Sequence, residues 1–316
     1  MDDNDKTLVI DQSQFDNLKV GRNSSNNMSK MLDQIYGKVD EDIKPGTIIA
    51  GKYRVLTVLG RTYNSAVYVC HPLDNLQVRY VLKQLKKSSQ ISQRRFKREA
   101  DLYYAIKHDN IVQMLEHFDD VTGYYIVLEY IDGTNLEKAV NDFNFDEQTI
   151  LIIGKEVAKA LQYAWDNFQL IHRDIKPANI MIDSAGHIKL LDFGISKSLD
   201  LSEGTELTMT STTLGTPGYM SPEQFSDARN VQVQSDIFSL GATLCYLLLK
   251  EPPFKGKSIT ECYGCTCKMT PPDFLFLRSD LSSGFVQLIS WMMQPDWKSR
   301  PEDWHQVLSL MRRLIK

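Results

Sequence analysis

One stretch, at residues 171–194, constrains this chain more than any other part of its sequence. It reads IHRDIKPANIMIDSAGHIKLLDFG. Two short apolar runs flank a turn that contains Gly186, a pattern that is typical of a β-hairpin. Because a hairpin brings its two ends together, Asn179 before it and Asp192 after it are predicted to lie side by side.

The oxygen atoms of these side chains indicate a chemistry. Magnesium binds to one or two carboxylates together with substrate phosphates, rather than to a cage made only of protein ligands. A third polar side chain, Asp174, precedes Asn179 by five positions. Taken alone, Asp174 is as well interpreted as a loop acid or helix cap without a catalytic role as it is as a catalytic residue. Taken together, the three side chains predict phosphoryl transfer.

The order and spacing of these residues resemble the catalytic core of the protein kinases. The pattern H-R-D-x-x-x-x-N starts at His172 and is followed by D-F-G at Asp192. The resemblance extends over about residues 51–316. The wording GTPGYMSPEQ, which begins at Gly215, is most similar to the eukaryotic-like (Hanks-type) serine/threonine kinases of bacteria.

This resemblance implies an α+β fold with two lobes. A small, β-rich N-terminal lobe is expected over about residues 46–128, and a larger, mainly helical C-terminal lobe over about residues 132–316. A hinge at residues 129–131 joins them. The kinase domain as a whole is therefore expected to occupy residues 46–316.

The preceding segment, residues 1–45, has a different composition. It is rich in Asp, Asn and Ser and poor in aromatic residues, so most of it is predicted to be disordered. Within it, apolar residues between positions 28 and 36 recur at helical spacing. Two interpretations stay open for this stripe: a transient helix in a tail, and a short amphipathic helix that docks on the kinase body or on a partner.

The nucleotide site of the N-terminal lobe is carried over from the resemblance. Gly60 and Val67 match the phosphate-covering loop G-x-G-x-x-G-x-V, whereas Thr62 and Ser65 replace its second and third glycines. The sequence YVLK, which ends at Lys83, resembles V-A-I-K. Lys83 is therefore expected to contact the α- and β-phosphates of ATP.

The resemblance also assigns the residues around the nucleotide. Glu99 occupies the place of the helix glutamate that forms an ion pair with Lys83. Leu128 corresponds to the gatekeeper. Glu129 and Ile131 belong to the hinge, whose backbone is expected to bind adenine.

The catalytic roles in the C-terminal lobe follow in the same way. Asp174 is expected to orient the acceptor hydroxyl and take its proton, and Lys176 to contact the γ-phosphate. Lys176 also marks the loop type D-x-K-P-x-N, which implies a serine or threonine acceptor. Asn179 and Asp192 are expected to hold Mg²⁺, with ATP as the phosphate donor and proteins as the substrates.

A Ser/Thr-rich segment between D-F-G and Gly215 resembles an activation segment. Thr208 and Thr210 are the expected phosphorylation sites, and autophosphorylation in trans would involve self-association. A phosphothreonine carries about −1.5 to −2 charge and three acceptor oxygens. It is therefore expected to bind the guanidinium of Arg173, which is expected to lie buried beside the catalytic acid.

Two further contacts are implied by the family pattern. Glu223 is expected to form an ion pair with Arg300. Asp236 is expected to support the catalytic loop.

Composition limits the other functional classes. With 42% hydrophobic residues and a formal net charge of −4, the chain has the composition of a globular protein for which nucleic acid is not an expected partner. The longest apolar run is too short to span a bilayer. The start of the chain lacks the basic flank and apolar core of a signal peptide. These features predict a cytoplasmic protein.

The five cysteines do not suggest a disulfide framework. Three of them, Cys262, Cys265 and Cys267, lie within six positions. They are interpreted as free cysteines on or after a helix. The alternative is a zinc or redox site, for which a fourth ligand is not evident.

Three functional hypotheses remain. The first is an active, ATP- and magnesium-dependent protein serine/threonine kinase. The second is a non-catalytic pseudokinase that acts as a binding module, suggested by Thr62 and by Val81. The third is a small-molecule kinase, which the peptide-docking appearance of residues 215–223 disfavours.

Overall fold

The structure, a computed structural model, shows two lobes of unequal size. The smaller is built on a β-sheet and the larger mainly on helices, as the sequence predicts. The residues that the structure describes are 43–61, 65–86, 93–120, 122–193, 216–227, 231–268 and 280–315.

A six-stranded antiparallel sheet forms the N-terminal lobe, with the strand order β1-β2-β3-β4-β6-β5. Its strands are β1 (Ile48–Ile49), β2 (Tyr53–Arg61), β3 (Ser65–Pro72), β4 (Tyr80–Lys86), β5 (Met114–Asp120) and β6 (Gly123–Glu129).

Both faces of this sheet are apolar. Successive residues of a strand point to opposite faces. In β6, Tyr125 and Val127 accordingly join a small core on one face, whereas Ile126 and Leu128 join the main core on the other. The sheet is therefore covered on both faces at its centre.

Helix α1 (Gln93–Ala105) covers one of these faces. Its buried residues Phe96, Ala100 and Tyr103 have the spacing of one helical face. The ring of Phe96 stacks on that of Tyr124 with centroids 4.7 Å apart. This apolar face determines where the helix sits on the sheet.

The C-terminal lobe contains seven helices within the described residues. They are α2 (Leu136–Asp142), α3 (Glu147–Phe168), α4 (Pro222–Ser226), α5 (Val233–Leu249), α6 (Ile259–Cys267), α7 (Ser283–Met292) and α8 (Trp304–Leu314). Short 3₁₀ turns lie at Pro177–Asn179, Pro217–Tyr219 and Trp297–Ser299.

Polar residues begin several of these helices. Asp146 accepts a hydrogen bond from the backbone N–H of Thr149 at the start of α3, and Asp303 does the same for Gln306 at the start of α8. Such caps satisfy backbone donors that have no partner within the helix.

Helix α5 is apolar nearly all round and lies at the centre of the lobe, where it is buried. Among the described helices, none combines the length and apolar character needed to cross a membrane.

The hairpin predicted after Asn179 is present. Strands β8 (Ile180–Asp183) and β9 (Ile188–Leu190) pair antiparallel, and β7 (Gly133–Asn135) completes a three-stranded sheet. Gly186 adopts a positive φ of 87° in the connecting turn, a conformation that glycine adopts without steric cost. Beyond the paired strands, the backbone N–H of Leu191 donates to the carbonyl of Asn179 at 2.8 Å. The two ends of the hairpin therefore meet, as predicted.

Some predicted features lie outside the described residues. They are Thr62 of the phosphate-covering loop, the apolar stripe between positions 28 and 36, and the two candidate phosphorylation sites, Thr208 and Thr210.

Candidate active site

Three polar side chains meet at the start of the hairpin. The side-chain amide of Asn179 donates to both the backbone carbonyl and Oδ2 of Asp174, at 2.8 and 3.0 Å. Lys176 lies 3.1 Å from the same carboxylate oxygen and donates to the hydroxyl of Thr216 at 2.8 Å. The orientation of the Asp174 carboxylate is therefore set by two donors on one of its oxygens.

A buried carboxylate accepts hydrogen bonds from the backbone of the loop that carries Asp174. Asp236 of α5 accepts from the backbone N–H groups of His172 and Arg173, at 2.6 and 2.8 Å. Arg173 has a φ of 65°, which is unusual for a residue other than glycine. Backbone in this region persists where the surrounding structure holds it, and such sites are often functional. The predicted support of the catalytic loop by Asp236 is therefore confirmed.

The environment of Asp236 affects its protonation. Burial raises its pKa, and the neighbouring His172 and the two backbone donors oppose that shift without cancelling it. The hydrogen bonds from the two backbone N–H groups favour the ionised form of this carboxylate against its burial.

His172 links the same loop to the end of β9. Its Nε2 lies 2.7 Å from the carbonyl oxygen of Leu191, and its Nδ1 lies 3.2 Å from the backbone N–H of Asp174. Since a carbonyl can only accept, Nε2 carries the proton and Nδ1 accepts. Burial lowers the pKa of His172 in spite of the nearby carboxylates. The neutral ring therefore holds the loop against the hairpin through these two hydrogen bonds.

The two lobes meet in an ion pair. Lys83 of β4 places its Nζ 2.9 Å from Oδ1 of Asp192. Desolvation in the cleft favours the protonated acid, but the charge and the hydrogen bond of Lys83 outweigh it, so that the pKa of Asp192 is lowered. The carboxylate is therefore ionised at neutral pH and can serve as a cation ligand.

This contact differs from the one predicted for Lys83. Among the ion pairs of the described residues, Lys83 has Asp192 as its partner rather than Glu99. Glu99 lies on the inner side of α1, between Phe96 and Tyr103. The position of α1 is determined by its buried apolar face, because one partly solvated ion pair contributes little to helix placement. The predicted Lys83–Glu99 pair is therefore not formed in this arrangement of the lobes.

The strand register aligns the other predicted nucleotide contacts. Gly60 of β2 is directly opposite Val67 of β3, and Val67 is directly opposite Lys83 of β4. Residues that are directly opposite in an antiparallel sheet share one face. The three residues therefore form a row that ends at the ion pair with Asp192.

The hinge is held from both sides. Oε1 of Glu129 accepts from the backbone N–H of Gln113 at 2.9 Å and lies 2.7 Å from Nζ of Lys189 on β9. At the next residue of the hinge, the guanidinium of Arg79 lies 4.2 Å from the ring centroid of Tyr130. The side chain of Glu129 thus connects the lobes, and its backbone N–H donates to the carbonyl of Gln113 at 3.0 Å. Ile131 is half-buried, and the gatekeeper position Leu128 is buried.

Comparison with known proteins decides the family. A family model described as protein kinase domain matches residues 53–310. The chain belongs to the protein kinase family. The chain is 32% identical over 272 residues to a protein of Lactococcus lactis named probable serine/threonine-protein kinase PknB. That alignment covers 84% of this chain and 42% of the relative.

A second relative and a solved structure agree with this placement. The chain is 35% identical over 216 residues to the serine/threonine-protein kinase PrkC of Bacillus subtilis, covering 67% of this chain and 33% of that protein. The chain thus spans well under half the length of these curated relatives. The crystal structure of the Mycobacterium tuberculosis PknI kinase domain matches with a TM-score of 0.66 at 24% identity, over 86% of this chain and 99% of that one. This likeness shows the kinase fold.

The residues at the kinase cleft fit a magnesium ion. The amide of Asn179 donates through Nδ2, so that its Oδ1 is the atom suited to a cation, and the ionised carboxylate of Asp192 is a second oxygen ligand. Among the described residues, no group of three or more His, Cys, Asp or Glu side chains could hold a metal ion. Two protein oxygens completed by substrate phosphates are the arrangement that magnesium prefers.

The second predicted ion pair of the kinase is confirmed. Arg300 donates to both carboxylate oxygens of Glu223, at 2.7 and 2.9 Å, and Ser235 also donates to that carboxylate. Burial opposes ionisation of Glu223, but Arg300 and Ser235 outweigh it, so that the pKa of Glu223 is lowered. This pair anchors α4, which follows the 3₁₀ turn Pro217–Tyr219.

Sequence reasoning missed several residues that shape the site. Gln224 donates to the backbone carbonyl of Arg173 at 3.2 Å, Thr216 binds Lys176, and Lys189 binds Glu129. Only Gln224 has a readable signal, because Ser221-x-x-Gln224 is a capping box that orients the glutamine. Arg173 itself is half-buried, not buried as the sequence argument assumed.

Proposed function

We propose that this chain is an ATP-dependent protein serine/threonine kinase that transfers the γ-phosphate of ATP to hydroxyl groups of protein substrates. One observation carries the proposal: the Asn179–Asp174–Lys176 cluster and the Lys83–Asp192 ion pair lie at the two ends of one short hairpin. Phosphoryl transfer requires such a convergence of an acid, cationic groups and cation ligands, because its catalysis is mainly positioning and charge stabilisation.

Each residue has a role in this reaction. Asp174 orients the acceptor hydroxyl and takes its proton as the hydroxyl oxygen attacks the γ-phosphorus and the bond to the leaving ADP oxygen breaks. Lys176 is placed between Asp174 and Thr216, so that it neutralises charge on the transferred group. Lys83 holds the nucleotide phosphates. Magnesium, held by Asn179 and Asp192, would neutralise charge that develops on the phosphates.

The acceptor class rests on Lys176 and on the relatives. Lys176 follows Asp174 by two residues, as in the loop type of serine/threonine kinases, and both curated relatives are named as such kinases. Serine and threonine residues of proteins are therefore the acceptors that we assign.

Activation belongs to the same proposal. Thr208 and Thr210 are the autophosphorylation sites that we assign, and a phosphothreonine there would bind the guanidinium of Arg173. An active kinase needs both the lysine–glutamate pair of the N-terminal lobe and the D-F-G aspartate in place. Lys83 pairs here with Asp192 and not with Glu99, which supports a role for activation in moving α1. Self-association of two chains would bring one loop to the other's cleft.

Domain limits and location follow from the same reasoning. We assign the kinase domain to residues 46–316 and a separate N-terminal tail to residues 1–45. ATP is a cytoplasmic substrate, and five free cysteines suit a reducing compartment. The domain is therefore placed in the cytoplasm.

A direct assay tests the proposal. Purified protein is incubated with labelled ATP, Mg²⁺ and a mixture of serine, threonine and tyrosine peptides, and Asp174→Asn is measured beside it. Removal of the positioned base is expected to lower the rate by about 10²–10⁴-fold. Asp166→Asn, on the surface of α3, is the matched control and is expected to keep wild-type activity.

Three outcomes contradict parts of the proposal. Nucleotide binding without transfer would establish the binding-module alternative. Transfer to tyrosine alone would refute the acceptor class. Wild-type activity of Asp174→Asn would refute the assigned base. For the loop, the double change of Thr208 and Thr210 to Ala should lower substrate phosphorylation, and autophosphorylation in trans should accelerate with protein concentration.

A further inference from the structure

Two of the cysteines in α6 lie on one side of the helix. Cys262 and Cys265 are three positions apart, and residues with this spacing are neighbours on a helix surface. Their thiols face adjacent backbone carbonyls, since Cys262 Sγ lies 3.9 Å from the carbonyl of Gly256 and Cys265 Sγ lies 3.5 Å from that of Lys255. Both are free thiols, as the sequence predicted.

The two thiols differ in access to solvent. Cys265 is exposed, whereas Cys262 is only 6% exposed. Burial, the neighbouring Cys265 and Glu261 all raise the pKa of Cys262. An oxidant in solution would therefore meet Cys265 first, with Cys262 as the thiol held beside it.

A disulfide between these two cysteines requires the helix between them to change shape. The Cβ atoms of residues three apart in an α-helix are about 5–6 Å apart, whereas a disulfide needs about 3.5–4.5 Å. The turn that carries the two cysteines must therefore unwind locally before their sulfur atoms can bond. Gly264 lies between the two cysteines and has open space where a Cβ would be, so packing does not require glycine at this position. A glycine there lowers the stability of the helical turn, so that the turn unwinds more readily.

The same turn contacts the substrate side of the C-terminal lobe. Tyr263, between the cysteines, packs its ring on Phe225 of α4 with centroids 5.4 Å apart, and its hydroxyl lies 3.4 Å from that of Ser226. Helix α4 also carries Gln224, which binds the backbone of Arg173 in the catalytic loop. These contacts connect the α6 turn, through α4, to the backbone of the catalytic loop.

We propose that Cys262 and Cys265 form a reversible disulfide that lowers phosphorylation of protein substrates. A peroxide oxidises the Cys265 thiol to a sulfenic acid and is reduced to water or an alcohol. The Cys262 thiol then attacks that sulfur, and the hydroxyl leaves with a proton as water. Two thiols are thus oxidised by one peroxide. Bond formation is independent of the proposed function; its effect on phosphorylation rests on that function.

A metal site is the competing use of these thiols. Among the described residues, no group of three or more ligand side chains could hold a metal ion, and Cys267 lies two positions after Cys265, on a different side of the helix. Cys267 therefore serves as an internal control.

The first experiment measures the bond itself. The full chain is treated with hydrogen peroxide, the remaining thiols are alkylated, and intact mass and peptide mass report the loss of two hydrogen atoms between residues 257 and 268. We expect this loss in the wild type and in Cys267→Ser, its reversal by dithiothreitol, and none in Cys265→Ser. Gly264→Ala should form the bond about fivefold more slowly, since alanine stabilises the helical turn.

The second experiment measures the consequence. In the oxidised wild type, kcat/KM for a protein substrate should fall by about fivefold or more, the lower end of usual coupling between sites. The affinity for ATP should be unchanged, because the Lys83–Asp192 cleft is not part of this contact. Dithiothreitol should restore activity, and Cys265→Ser should be insensitive to peroxide.

The outcomes are distinguishable. Absence of the bond in the wild type, or its formation in Cys265→Ser, overturns the proposal whether or not the chain is a kinase. Bond formation with unchanged kcat/KM overturns the regulatory part. If no phosphorylation is detected under any condition, the proposed function fails, and the mass measurement still decides whether the bond forms.

Discussion

Two ion pairs in this molecule join residues that are far apart in sequence, and they differ in what surrounds them. Lys83–Asp192 joins the two lobes across the cleft, and the Asp192 side chain is 45% exposed. Glu223–Arg300 lies within the C-terminal lobe, and the Arg300 side chain is 0% exposed.

The hydrogen bonds of Arg300 show what this difference means. Its guanidinium donates from Nε to the carbonyl of Gln294, from Nη1 to Glu223 and the carbonyl of Gln234, and from Nη2 to Glu223 and the carbonyl of Pro295. All five of its N–H donors are therefore used. The saturated pair has no capacity for a ligand, whereas the cleft pair presents an ionised carboxylate at an accessible surface. An ion pair whose hydrogen-bond donors are all used within the protein stabilises the fold, whereas an ion pair that solvent reaches is available to a ligand.

The largest expected effect comes from breaking the saturated pair. Arg300→Met leaves the partly buried Glu223 carboxylate without its cation and removes the fully buried member of the pair. The loss of one partner of a buried ion pair costs about 3–5 kcal/mol of stability. Urea unfolding measures this loss. Lys298→Met, which removes an exposed cation two positions away, is the control and should change stability little. If Arg300→Met is as stable as the wild type, the distinction between the two pairs does not hold.

Removing the cation of the cleft pair should lower activity strongly and change stability little. Lys83→Met is expected to lower phosphoryl transfer by about 10²–10³-fold, the usual effect of removing one preorganised donor. Its stability should change by less than about 1 kcal/mol, because the pair is partly solvated. Lys52→Met, which removes the exposed Lys52–Glu116 pair of the same lobe, should leave activity unchanged. A large loss of stability in Lys83→Met would make both pairs structural.

The pH dependence of stability distinguishes the pairs further. The pKa of Glu223 is lower in the folded state than in the unfolded chain. Its contribution is therefore fully present above the unfolded value of about 4.3 and is lost as the pH falls through the folded pKa. The free energy of unfolding should fall more steeply below this value in the wild type than in Glu223→Gln. Parallel curves from pH 6 to 3 would show that Arg300 does not stabilise the ionised acid.

The smallest effect is expected at the contact between α4 and the catalytic loop. Gln224→Ala removes the hydrogen bond to the Arg173 carbonyl, and a bond of this kind contributes about 0.5–1.5 kcal/mol. We expect a fall in kcat of up to about tenfold, with an unchanged KM for ATP, measured in steady-state assays. Gln294→Ala, on the opposite side of the Arg300 site, keeps the loop contact and should keep kcat. An equal loss in both variants would indicate general destabilisation.

Part of the site was predictable because it is local in sequence. The hairpin after Asn179 follows from two apolar runs and a glycine turn, and it alone brings Asn179 to Asp192. The row formed by Gly60, Val67 and Lys83 was predictable only as two separate motif matches, since strand register is needed to align them. The Glu223–Arg300 pair was reached through the family pattern, not through any local signal.

The sequence by itself determined the hairpin and the identity of the polar groups, because apolar alternation and turn residues act over a few neighbouring positions. The two-lobed fold was implied by the resemblance of its motifs to those of the protein kinases. Tertiary structure alone decided which partner Lys83 has, which nitrogen of His172 carries its proton, and that Gln224 reaches Arg173. These contacts join residues from about 20 to more than 100 positions apart in the chain. They depend on how the lobes and helices pack, and that packing is determined by buried apolar faces rather than by the polar groups that it brings together.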